Sequence, residues 1–319
     1  MISAKIIADS INESGARLTT FIIVLPRCVL SELNTHRALS KNSASSRAIP
    51  YKKMLETVKN NPFVPIRWQK DHSGMQGTEY FEGEAAEKCK RLWLEGRDRA
   101  IETAESFKEI EQIVIPNGDN GRVEVGQIKN IGLTKQLVNR GLEAYMWHTV
   151  IISGTEWENF FALRAESSAE IHIQALAFEM LKVYNESIPK ELKKGEWHIP
   201  FGDNINREKL EEQMPEIQPA SLNWYIEQMD NLKIKIAVAR CAGVSYTIVG
   251  SDGKEEDFSK LLKRHDILAK MKHMSPFEHV AVNMGTTEYI GNFRGWKQYR
   301  KFLQNENRTD ERVKRWKTM

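Results

Sequence analysis

The chain has 319 residues, 41% hydrophobic and 28% charged, with a formal net charge of +3. That balance suits a folded protein with one large core or two modest ones, and it argues against a nucleic-acid coat. Three scattered cysteines, Cys28, Cys89 and Cys241, form neither a disulfide framework nor a metal-type spacing.

Lys5–Ala8 and Leu18–Leu25 flank the turn signal Asn12–Gly15 and predict an N-terminal hairpin. Pro26 and the amphipathic segment Cys28–Leu33 predict a short helix. From it, residues 34–47 leave as a polar segment carrying His36, Arg37, Arg47 and a cluster of serines. A helix over 51–58 and an irregular loop over 60–77 follow. Glu79–Ile113 has the spacing of a long amphipathic helix, and Ile113–Val125 reads as a small hairpin. Helix is expected again at Gln136–Trp147, strand at Thr149–Ser153, and helix at Glu156–Arg164 and Ala169–Tyr184. The polar stretch 190–219, with three prolines, is the expected boundary between a lobe over 1–219 and a second over 220–319. In the second lobe, Lys235–Ala239 reads as a short apolar strand and Phe258–Met271 as an amphipathic helix. The turn His273–His279 and a strand at Val280–Met284 come next. The expected fold class is α/β (α+β), with two interlocked lobes.

A hydrophobic strand that delivers hydroxyls and guanidinium groups to one spot makes an anion site. Arg37 and Arg47 can grip phosphate oxygens while serine hydroxyls and backbone N–H groups supply further donors. Other residues read more simply. Trp157, Phe160, Phe161, Met180, Met229 and Met271 are expected in the core, Cys28 in buried packing, and His279 in a structural role. His273 and His279 are poorly spaced for a metal, and no metal site is expected. There is no Gly-rich dinucleotide fingerprint.

Four ordered segments together resemble the flavin-dependent thymidylate synthases (the ThyX family). That family's signature is Arg-His-Arg, seven residues, Ser, then Arg two places on; here it reads Thr35-His36-Arg37, seven residues, Ser45, then Arg47. Asn159–Arg164 matches the family's Asn-Phe-Leu-x-Leu-Arg. The family's Ala-Arg-Val-Ser-Tyr and His-x-Thr/Ser-Pro-Phe-Glu-His match residues 242–246 and 273–279. The Ser-Pro-Phe-Glu-His element precedes the signature in the family and lies far downstream of it here, so the motif order is rearranged. Residues 296–306 keep Trp296, Arg300, Asn305 and Glu306 of a further signature-like stretch, read as a degenerate repeat.

The resemblance implies a methyltransferase of dTMP biosynthesis: C5-methylation of dUMP with methylenetetrahydrofolate, with FAD as hydride carrier and NADPH as reductant. It implies His36, close to the flavin ring, and Arg164 as catalytic residues. Ser45, Arg47, Arg140 and Arg164 would bind substrate, with Asn139 as the alternative register for Arg140. His36, Arg37, Asn159, Ser245, His273 and Ser275 would bind the cofactor. It also implies a homo-oligomer, a tetramer or a dimer that mimics one. Composition separately leads to the expectation of a cytoplasmic protein without nucleic-acid or membrane partners, since no apolar run approaches a membrane span and the net charge is slight. Three departures, Thr35, Ser43 and Thr155, remove charges the family carries; Glu306 or Glu156 is the expected replacement carboxylate. These departures leave UMP methylation and dUMP hydroxymethylation open, and a non-catalytic nucleotide-binding protein is the rival of another class.

Overall fold

The computed structural model describes residues 1–74, 77–114, 127–214, 221–244, 257–304 and 306. Its frame is the hairpin of β1 (Ser3–Asn12) and β2 (Arg17–Pro26), paired antiparallel with a register shift between Ile6 and Ala8. Asn12 closes the turn. Its Oδ1 accepts from the backbone N–H groups of Ser14 and Ala16, and Gly15 takes φ +83°, a conformation that favours glycine. Strand β2 is central and buries Leu18, Phe21, Ile23 and Leu25 completely. After Pro26 a 3-10 turn, Arg27–Val29, leads into α1 (Leu30–Asn34) and the edge strand β3 (Ser40–Ser43).

Helix α2 (Tyr51–Asn60), the small hairpin of β4 (Trp68–Gln69) and β5 (Tyr80–Phe81), and the long α3 (Gly83–Ser106) follow. Strands β6 (Glu111–Val114) and β7 (Gln127–Asn130) pair antiparallel; the expected hairpin over 113–125 lies mostly outside the described residues. Helix α4 (Lys135–Arg140) packs with α2 and α3 around Met54, Leu55, Val58, Ile101, Val138 and Leu142. Strand β8 (Trp147–Gly154) then pairs with both β2 and β3. Helices α5 (Trp157–Arg164) and α6 (Ile171–Glu186) cover one face of the sheet, and β9 (Lys190–Leu192) adds to β1 in parallel, giving the order β3-β8-β2-β1-β9.

A second sheet forms from β10 (Trp197–His198), β11 (Ala281–Asn283) and β14 (Trp296–Gln298), in that order. Its pairing of residues 197–198 with 281–282 ties the chain on either side of 219 together. Between these strands lie α7 (Arg207–Glu211), α8 (Leu222–Gly243) and α9 (Phe258–Lys270). A 3-10 turn, Ser275–Glu278, precedes β11, and the pair β12 (Tyr289–Ile290) and β13 (Phe293–Arg294) precedes β14. The molecule is thus mixed α/β, and among the described residues no helix is long and apolar enough to cross a membrane.

The expected strand at 235–239 is the C-terminal half of α8. Ser221 caps this helix by accepting from Trp224 N–H. Ile236 and Ala239 face α7 and α9, Ala237 and Val238 face the Ser275–Glu278 turn, and Cys241 reaches the main sheet beside Ile151. A helix covered on several sides carries no polar stripe, so its apolar run imitates a buried strand. Cys28 is exposed rather than packed, because Val29 is the inward residue of its short turn; Met271 is exposed at the end of α9. Residues 296–302, the start of the stretch read as a degenerate repeat, form a strand and a 3-10 turn. Trp296 is buried with Nε1 donating to Ala16 O, and Arg300 pairs with Glu278 at 2.5 Å and Glu306 at 3.4 Å.

Candidate functional site

The edge strand β3 and the loop after it form the site. Alternation along β3 buries Ser40 and Asn42 and leaves Lys41 and Ser43 half-buried. Ala44 N–H donates to Thr149 O, the last rung before the chain turns. Ser45 then organises the loop: its carbonyl accepts from the N–H groups of Ala48 and Ile49, and its Oγ accepts from Arg47 N–H at 3.3 Å. From α4, buried Asn139 donates through Nδ2 to Ser46 O at 2.8 Å and Ile49 O at 3.2 Å. Asn139 is therefore a brace behind the loop, and the neighbouring exposed Arg140 reaches the front.

In front lies an open cavity of about 510 Å³. Its wall brings together Ser45, Arg47, Arg140 and, from the distant end of the chain, Ser275; it also includes Arg27 and Lys41. Among the described residues no carboxylate contributes to this wall. Ser275 is held there by donating from Oγ to Asn42 Oδ1 at 3.2 Å, while Asn42 Nδ2 donates to Cys241 O at 2.9 Å. One asparagine thus joins β3, α8 and the Ser-Pro-Phe-Glu turn. Arg27 donates to His148 Nε2 at 2.8 Å and lies 3.6 Å from Glu143, and burial, with Arg27 adding to it, pushes the His148 imidazole down to about 3.

His36 and Arg164 meet outside this wall and are linked to it by Lys41, whose Nζ donates to His36 O. Arg164 donates from Nε to His36 Nε2 at 2.9 Å and from Nη2 to Thr35 Oγ1 at 3.1 Å. His36 is buried against the edge of Phe160. Burial, reinforced by the Arg164 and Lys41 charges, pushes its imidazole down to about 4, so the ring is neutral at pH 7 and presents Nε2 as an acceptor. Thr35 thus serves as the second acceptor that fixes Arg164 at this corner.

The remaining expected residues lie elsewhere. Arg37, Asn159 and His273 are exposed and contribute nothing to the cavity wall, nor do His36 and Arg164. Ser245 lies outside the described residues. Neither expected replacement carboxylate reaches the cavity. Glu306 pairs with Arg300 and Lys301, and Glu156 accepts from Thr155 and lies 3.8 Å from Arg294. Arg27 and Lys41 had escaped the sequence reading. The period-2 alternation Lys41, Ser43, Ser45 was the available signal for Lys41, hidden by reading 34–47 as a loop. No protein-family model matches the chain, and no curated protein matches it.

Proposed function

We propose that the cavity binds the phosphate of a uridine monophosphate, and that the chain acts as a flavin-dependent thymidylate synthase. The observation that carries this reading is the meeting of Ser45, Arg47 and Arg140 with Ser275 around one concavity that has no carboxylate among its described residues. Guanidinium groups and hydroxyls in that arrangement are the donor set a phosphate monoester requires. The chemistry of the wall fits phosphate groups, whether of the substrate or of a dinucleotide cofactor.

When bound, FAD would supply the hydride carrier between NADPH and the one-carbon unit from methylenetetrahydrofolate. The protein's task is then to hold, orient and shield. Arg47 and Arg140 hold the phosphate. Arg164, fixed by His36 and Thr35, offers a permanent cation for negative charge that develops on a uracil oxygen. His36, neutral at pH 7, orients that guanidinium. Because one chain contributes both the early loop and the late turn, we propose a homo-oligomer in which a dimer can take the place of the family's tetramer.

Purified protein is expected to be yellow, with flavin absorbance bleached by NADPH, and dUMP plus the folate is expected to gain the mass of a methyl group. UMP as the preferred substrate, or a hydroxymethyl mass, would identify the related reactions instead. One observation favours a non-catalytic phosphate-binding protein: Arg37, Asn159 and His273 stand apart from the cavity. Colourless protein that binds dUMP without turnover would establish that reading.

A further inference from the structure

We infer that Lys41 is a third cationic ligand for the bound phosphate, and that the same ammonium fastens the His36 turn to the cavity wall. The inference rests on the nucleotide reading of the cavity. Lys41 lies on β3 opposite Ile152 of β8, with its side chain on the wall that carries Ser45 and Arg47. Its Nζ donates to His36 O at 2.6 Å and to Leu39 O at 3.0 Å. An ammonium has three donors, so one remains for a ligand in the cavity. Among the described residues no carboxylate comes within ion-pair distance of it. Two carbonyls thus hold the charge in place without neutralising it, which is the preorganisation an anion site needs.

Lys41 gives the site a charge that can be switched off. Burial pushes its ammonium down to about 8, with Glu278 pulling the other way. Around it stand the guanidinium groups of Arg27, Arg47, Arg140 and Arg164, and Glu278, paired with Arg300 at 2.5 Å. His36, down at about 4, is neutral from pH 7 upward. A phosphate monoester carries its second charge above pH of about 6. Binding is therefore strongest between the phosphate's second ionisation and the loss of the Lys41 proton.

The test is titration calorimetry of dUMP from pH 6.5 to 9, below the ionisation of the uracil N3–H, with the full chain, Lys41→Arg and Lys41→Met, with thermal melts to check folding. Wild-type affinity is expected to hold to about pH 8 and then fall toward the Lys41→Met value, a loss of at most about tenfold as the single proton leaves. Lys41→Arg should stay level to pH 9. Lys41→Met should be about tenfold weaker at pH 7 and also level. A wild-type profile that stays flat, or a falling profile shared by Lys41→Arg, overturns the proposal; if Lys41→Met fails to fold, Lys41→Arg alone decides. If dUMP binds at no pH, the nucleotide reading fails by itself. Inorganic sulfate, whose charge is constant over this range, then tests Lys41 alone: affinity that falls above pH 8 only in the wild type supports it, and any other profile overturns it.

Discussion

Two polar clusters lie on this sheet, and they treat polarity in opposite ways. On the cavity wall, Lys41, Arg47 and Arg140 gather with no carboxylate beside them among the described residues. In the interior, Ser10 meets His198 Nδ1 at 2.9 Å, and His198 Nε2 meets Thr20 Oγ1 at 2.8 Å. Thr20 then meets Ser153 at 2.7 Å, and Ser153 meets His279 Nδ1 at 2.8 Å. That chain runs from β1 through β10, β2 and β8 to the end of the Ser-Pro-Phe-Glu turn, and only His279 Nε2 within it is left unpartnered. Neutral polar groups that partner one another hold distant parts of the sequence together; cations without a carboxylate among the described residues of the wall leave a site where an anion can complete the pairing.

Acid should break the comparison most strongly, because the interior cluster holds two fully buried, neutral histidines. Burial pushes both His198 and His279 down to about 3. Their folded values lie below the unfolded value, so they are neutral in the fold and ready to protonate once unfolded. The stability they permit is complete above pH of about 6.5 and is lost as pH falls toward 3. At pH 5 each histidine should cost roughly 2 kcal/mol, about 4 kcal/mol together. Urea melts at pH 7, 6 and 5 check this; stability that is level over that range would mean that the histidines are not buried as described.

Ser153→Val separates the clusters by mutation. It leaves Thr20 and His279 without their shared partner and should cost about 2–4 kcal/mol, seen as a lower melting temperature. Phosphate affinity at a temperature where the variant stays folded should be unchanged. Arg47→Ala should do the reverse, with melting nearly unchanged and dUMP affinity down by about 10- to 100-fold, because a charge-assisted contact is lost. Flavin binding should suffer less than nucleotide binding; equal loss of both would remove Arg47 from the phosphate role.

The two clusters also differed in how legible they were. The hairpin of β1 and β2 follows from two apolar runs and an Asn/Gly turn, Arg47 from its place in a polar Arg/Ser segment, and Ser45, Arg140 and Ser275 only from the motifs that carry the family resemblance. What the chain does not display locally is which residues partner one another. Strand β3 has only four residues, and its serines and Asn42 look like loop, because the strand is specified by pairing with β8 and not by its own composition. With β3 unrecognised, Lys41 had no face. His198 carried no signal either, since Ser10 and Thr20 reach it only after the sheet has formed, and α8 was misread because its neighbours come from three separate stretches.

Asn139 offers the smallest and sharpest test, since it belongs to neither cluster but braces one of them. It is fully buried, gives Nδ2 to two carbonyls of the Ser45–Ile49 loop, and leaves Oδ1 without a partner. Asn139→Ala removes both donated bonds and should lower stability by about 1–2 kcal/mol. Without its brace the loop would have to be ordered by the ligand itself, so dUMP affinity should fall by about three- to tenfold, although the side chain never touches the cavity. That loss should resemble a partial Arg47→Ala in affinity and differ from it in melting temperature. Arg140→Ala, one residue along, should lower affinity with no loss of stability. If the Ala variants at 139 and 140 exchanged these signatures, the register would be reversed and Asn139 would be the ligand-facing residue.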